Sequence, residues 1–214
     1  MHHEIVQEYL TNLYQEMNGY LKYTPEEIKN YVNHDVCLTY GEVHYLSLMA
    51  FSKKINLGPH DIFLDLGSGL GKICVSMLLG TECQEAIGIE ASVKLHEQAI
   101  KILPKLELQL KLKLKNKKLS LLQGNFLSPD KLPDIKKATV VFINATAFTY
   151  DLLDKIGLVL NQCPNIRAIL SFKPFANLTL PFSQTIRIEA SWDSILARLY
   201  SQSYANANRN SECT

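Results

Sequence analysis

The segment Asp65-Leu66-Gly67-Ser68-Gly69-Leu70-Gly71 constrains this chain more than any other. It closes a short, nearly continuous apolar run at 61–66, the pattern of a strand buried on both faces. Three alternating glycines follow, then an apolar stretch of helical character from about 72 to 79. Strand, glycine turn and helix in that order open a βαβ unit. Without side chains the turn lets backbone approach a ligand, and a helix N-terminus is expected to offer free N–H groups there. A dinucleotide fingerprint reads G-x-G-x-x-G, but here the third glycine comes one residue early. Position 72 is Lys, and no G-K-[ST] ending makes the turn a phosphate loop. The G-x-G-x-G form with an acid two residues ahead of it fits S-adenosyl-L-methionine better. That molecule carries no pyrophosphate. Its amino-acid end needs an acceptor for an ammonium, which Asp65 supplies, and donors for a carboxylate.

Downstream residues extend the same reading. Glu90 ends a second strand at 86–90, 19 residues beyond Gly71, where a carboxylate can accept from both ribose hydroxyls. Gly124-Asn125-Phe126 closes a third strand at 120–123; Asn125 can bond the adenine edge and Phe126 can pack on the ring. Further strands are expected at 139–143 and 168–171, with an antiparallel pair between 185 and 204. The alternation predicts an α/β fold, a Rossmann-like, mostly parallel central sheet flanked by helices. Residues 1–57 read as a helical extension. Ile5, Tyr9, Leu13 and Met17 share helical spacing, Thr24-Pro25-Glu26-Glu27 is a helix start, and a third helix runs from 43 to 55. Residues 58–204 form the cofactor-binding domain, and the polar residues 205–214 an unordered tail. Between 105 and 115 leucine alternates strictly, yet it also continues a helical stripe from Leu95. The crossover position favours a helix, broken or kinked at Pro104.

Composition narrows the class. With 47% hydrophobic and 20% charged residues in 214, neither a disordered chain nor a small disulfide scaffold fits. The net charge of +1 argues against a surface that grips nucleic acid throughout; the lysines of segment 101–118 are the one local basic patch. A solvated helix face is the first reading of that patch, an acidic partner the sharper one. Five cysteines without C-x-x-C spacing, and histidines scattered without ligand spacing, point to no metal site and to reduced thiols. No apolar leader or membrane-length stretch is visible, so a cytoplasmic protein is expected, or one delivered by a route independent of a signal peptide.

Several segments in order resemble the histone-lysine methyltransferases that lack a SET domain, the disruptor of telomeric silencing (Dot-one) family, whose fold is that of class I methyltransferases. Thr39-Tyr40-Gly41-Glu42 is similar to its Y-G-E loop, which covers the methionine end of the cofactor. Residues 65–72 are similar to D-L-G-S-G-x-G-x, and 124–128 to G-D-F-L-S, with Asn125 in place of Asp. Residues 141–148 resemble V-N-N-F-A-F, with Ala145 in place of the second Asn. Ser171-Phe172-Lys173-Pro174-Phe175 resembles S-S-K-P-F, and Ser191-Trp192 a late S-W followed by tyrosines. Residues 205–214 hold one basic side chain, Arg209, where family members carry a basic segment that supports nucleosome binding.

The resemblance implies methyl transfer from S-adenosyl-L-methionine to a lysine amine of a protein, with histone as one candidate and the nucleus as the compartment in that case. Tyr40, Gly41, Glu42, Asp65, Gly67, Ser68, Gly69, Gly71, Lys72, Glu90, Asn125, Phe126 and Asn144 would hold the cofactor. Asn144, Tyr40 and Tyr200 would form the catalytic set, and Phe148, Phe172 and Trp192 the substrate channel. A lysine amine, near 10.4 in water, must lose its proton before it attacks; an apolar channel lowers that value, and aromatic walls suit a methylated ammonium. Other readings on the same fold are a small-molecule or nucleic-acid methyltransferase and a non-catalytic cofactor-binding module. A nicotinamide oxidoreductase is disfavoured by the glycine spacing.

Overall fold

A computed structural model describes residues 3–33, 36–106 and 117–202. Among these residues seven strands form one sheet: β1 Ile62–Leu66, β2 Glu85–Glu90, β3 Lys118–Gln123, β4 Val140–Ile143, β5 Ala168–Ser171, β6 Phe182–Glu189 and β7 Ser194–Ser201. Their order is β3-β2-β1-β4-β5-β7-β6. The first five are parallel, and β7 lies antiparallel between β5 and β6. From β1 the chain winds outward to β2 and β3, then returns to β4 on the other side of β1. That reversal opens a crevice at the carboxyl ends of β1 and β4, where open α/β sheets bind ligands.

The central strands bury both faces, which explains their continuous apolar runs. Phe63 of β1 joins one core cluster, and its neighbours Leu64 and Leu66 join the other. The first cluster is covered by α1 His3–Tyr14, α3 Tyr45–Lys54 and α4 Lys72–Gly80; the second by α7 Tyr150–Leu160. Between them come α2 Pro25–Asn33, α5 Val93–Ala99 and the short α6 Leu132–Ile135. Helices α1 and α3 thus share the core of the sheet. An ion pair pins the opposite end of the sheet: the Arg167 guanidinium bonds both oxygens of Asp61, the residue just ahead of β1, at 2.7 and 2.5 Å.

Two details depart from the sequence pattern. The buried face of α1 is Val6, Leu10, Leu13 and Tyr14, whereas Ile5 is 55% exposed. The apolar stripe is rotated about one residue from the i, i+4 series of Ile5: α1 packs on α4, and Val6 and Leu10 join the core cluster that α4 lines. The helix start at Thr24 is a reciprocal cap: Thr24 Oγ1 accepts from Glu27 N–H, and Glu27 accepts from Thr24 N–H. Yet α2 buries none of its residues. After a 3-10 turn at Ile100–Ile102 the backbone is helical at 103–106, through Pro104. The remainder of the leucine segment, and the expected tail at 205–214, lie outside the described residues.

Candidate functional site

The glycine turn is tied down by its own hydrogen bonds. Gly67 and Ser68 N–H both donate to Ile89 O, and Gly71 N–H donates to Ser68 O. Gly69 N–H donates to Glu90 Oε2 at 2.7 Å. Gly67, Gly69 and Gly71 all have positive φ, which L side chains adopt only with strain. The expected cradle of free N–H groups is therefore absent at these four residues. What faces the crevice is carboxylate. Asp65, the next-to-last residue of β1, is 1% exposed, and neither of its oxygens has a partner among the described residues. Burial, with the nearby charge of Glu90 adding to it, pushes its carboxyl up to about 8. Glu90 is also raised by burial, opposed by the N–H groups of Ser92 and Gly69. It takes one of these on each oxygen, Ser92 N–H on Oε1 at 2.7 Å, and keeps further lone pairs toward the crevice.

The crevice has two ends that share Gly41, Gly67, Gly69 and Asn144. One holds about 610 Å³ of space, open mouth included, and is lined by Glu90, Ala91, Leu95, Asn125, Phe126 and Phe148 together with Val36, Cys37 and Thr39. The other, about 380 Å³, is lined by Tyr40, Glu42, Asp65, Ser68 and Lys72. Here Tyr40 donates its hydroxyl to Glu42 Oε1 at 2.8 Å, and Glu42 Oε2 pairs with Lys72 Nζ at 2.7 Å. Burial, then the charge of Glu42, drives the Tyr40 hydroxyl far above 10, so it remains a donor and holds the loop rather than acting as a base. Its ring packs so tightly on Gly69 that a Cβ there would lie 2.9 Å from Cε2.

The structure brings most of the sequence-predicted residues to this crevice. Phe148 lies at the Phe126 end, the two ring centroids 6.1 Å apart, and its Cζ is 3.8 Å from where a Gly67 Cβ would stand. It therefore borders the crevice opposite the Asp65 end. Trp192 packs directly on Gly41, and Phe172 stacks between Trp192 and Phe142. Trp192 is 40% exposed and Phe172 is buried, so this pair forms an aromatic edge beside the loop. Gly71 faces Leu121 of β3, away from the crevice, and serves the turn. Tyr200 is not brought to the site. It lies one residue before the end of β7, opposite Ile169, packs on Phe175 and Phe182, and accepts the Phe175 N–H at 2.8 Å; a tyrosine core contact explains it fully. The basic segment is also partly spoken for. Lys117 Nζ donates to Leu78 O and Thr81 O at the end of α4, and Lys118 pairs with Glu85.

Sequence reasoning missed Val36, Cys37, Ala91 and Leu95 as crevice walls. They are unremarkable loop and helix residues, and only their adjacency to Tyr40 and Glu90 could have pointed to them. It also missed Gly88. That residue pairs with Asp65 across the sheet, and a Cβ there would meet Ser68 Oγ at 2.7 Å.

The fold and site together define a class. The chain superposes on an RNA methyltransferase from Salinibacter ruber, in complex with S-adenosyl-L-homocysteine, with a TM-score of 0.53. The match covers 72% of this chain and 88% of that one at 18% identity. The architecture is the class I, Rossmann-like methyltransferase fold. Residues 19–211 match the family described as histone methylation protein DOT1, and the chain belongs to that family. The Caenorhabditis elegans histone-lysine N-methyltransferase, H3 lysine-79 specific, is 31% identical over 140 residues, 64% of this chain. The Drosophila melanogaster enzyme of the same name is 24% identical over 137 residues, 62% of this chain. The chain spans only 15% and 6% of those two proteins.

Proposed function

We propose that this chain transfers a methyl group from S-adenosyl-L-methionine to a lysine side-chain amine of a protein, with histone as the first candidate acceptor. One observation carries the cofactor: a fully buried carboxylate, Asp65, at one end of the crevice, whose two oxygens have no partner among the described residues. A buried anion without a partner is costly, and an ammonium from a ligand removes that cost. The Asp65 carboxylate beside the glycine turn repels a pyrophosphate, which argues against a dinucleotide. Membership of the family supports the lysine acceptor.

In this reading Asp65 holds the amino group of the cofactor and Lys72 faces its carboxylate, while Glu90 accepts from the ribose. Asn125 and Phe126 border the adenine. When bound, the cofactor supplies an electrophilic methyl carbon on a sulfonium. Trp192 and Phe172 give the incoming lysine a weakly solvating aromatic edge, which favours the neutral amine. Alignment then supplies most of the rate, and no strong base is needed. A histone acceptor would put this chemistry in the nucleus.

The test incubates the chain with tritiated S-adenosyl-L-methionine and, separately, nucleosomes, free histones and total RNA. Label on protein lysine supports the proposal. Label confined to RNA, or donor binding with no transfer to any of them, contradicts it.

A further inference from the structure

Asn144 stands one residue past β4, where it lines both ends of the crevice. Its side-chain amide is held by the next-but-one residue. Thr146 Oγ1 donates to Asn144 Oδ1 at 2.9 Å, and Thr146 N–H reaches the same oxygen at 3.4 Å. A backbone N–H can only donate, so the atom facing Thr146 must be the oxygen. The amide is thereby oriented: its carbonyl points along the loop, and its NH2 group is the end with no acceptor among the described residues. Phe148 N–H, bonded to Ala145 O at 3.0 Å, and Phe172 N–H, bonded to Ile143 O at 3.3 Å, fix the backbone on either side. Thr146 stands where the resembled V-N-N-F-A-F stretch carries Phe, so the hydroxyl contact is a feature of this chain.

We infer that Thr146 is a positioning residue: it locks the Asn144 amide so that the crevice meets a hydrogen-bond donor, the NH2 group, rather than a carbonyl oxygen. An amide held in one orientation presents the same group at every turnover, whereas a rotating amide does so only part of the time, so loss of the Thr146 hydroxyl is expected to lower the rate. The inference rests on the proposed transfer for its rate effect but not for its structural part.

Two measurements separate the two. In 15N-labelled protein the Asn144 side-chain NH2 pair is assigned by its disappearance in Asn144→Ala. Thr146→Val, which keeps the β-branched shape and removes the hydroxyl, should broaden or split that pair; Thr146→Ser should restore it. An unmoved pair in Thr146→Val overturns the inference whatever the enzyme acts on. In the methyl-transfer assay Thr146→Val should lower kcat about 2- to 10-fold, the worth of one partly solvated hydrogen bond, with KM and the affinity for S-adenosyl-L-homocysteine within about twofold. Thr146→Ser should recover kcat. Equal loss in both variants, or a matching loss of cofactor affinity, marks a merely structural role and overturns it. If wild type transfers no methyl group, the proposed function fails, and the amide resonances alone decide this point.

Discussion

Titrating cofactor binding against pH isolates Asp65. In the ligand-free protein its carboxyl sits at about 8. A single site of that value is about 1% ionised at pH 6 and about half ionised at pH 8. The ammonium of the cofactor needs the ionised form, and apparent Kd scales inversely with the competent fraction. S-adenosyl-L-homocysteine should therefore bind about 50-fold tighter at pH 8 than at pH 6, close to tenfold per unit over the lower part of that range. The stability sign is opposite. A carboxyl whose folded value lies above its unfolded value costs nothing below about pH 4. The penalty then grows with pH up to about 8, on the order of 4 kcal/mol at pH 7. Asp65→Asn should flatten the binding profile and, by removing the buried charge, raise the melting temperature of the ligand-free protein most at pH 8. Calorimetry and thermal denaturation across pH 5–8 read both effects. A wild-type affinity that does not change between pH 6 and 8, or the same slope in Asp65→Asn, refutes the reasoning.

Gly69→Ala forces a side chain into φ +53° and against Tyr40, so it should cost about 1–2 kcal/mol of stability and weaken S-adenosyl-L-homocysteine binding about tenfold; unchanged affinity in calorimetry would remove Tyr40 from the site. Gly41→Ala places a Cβ against the Trp192 ring, and Trp192 is the only tryptophan of the chain, so its emission should shift to the red while methyl transfer falls. An unshifted spectrum with full activity would show that the loop and Trp192 are independent. Tyr200→Phe removes the acceptor of the Phe175 N–H and should cost about 1 kcal/mol of stability with transfer unchanged. A rate drop beyond tenfold would return Tyr200 to the catalytic set.

The sequence made the sheet legible because its central strands are buried on both faces and bounded by glycine turns or capping residues. Asp65, Glu90 and Asn144 were legible for the same reason: each stands at a strand end, where backbone direction alone decides what it faces. Aromatic residues were harder. Phe148 borders the crevice while Tyr200, near the end of β7, packs in the core, because a large apolar ring is equally suited to a core or a wall. Hydrogen bonds inside the glycine turn were invisible too. Whether Gly67, Ser68, Gly69 and Gly71 present their N–H groups to a ligand depends on Ile89 and Glu90 closing on them, a tertiary fact. The face of α1 was misjudged by one residue because Ile5 and Val6 are equally apolar, and only the packing on α4 distinguishes them.

The central claim is tested most directly by a crystal structure of this chain with S-adenosyl-L-homocysteine. The account predicts the amino group of the ligand about 2.7–3.2 Å from the Asp65 carboxylate and its ribose hydroxyls on Glu90. A ligand seated anywhere that leaves the Asp65 oxygens without a partner would contradict it.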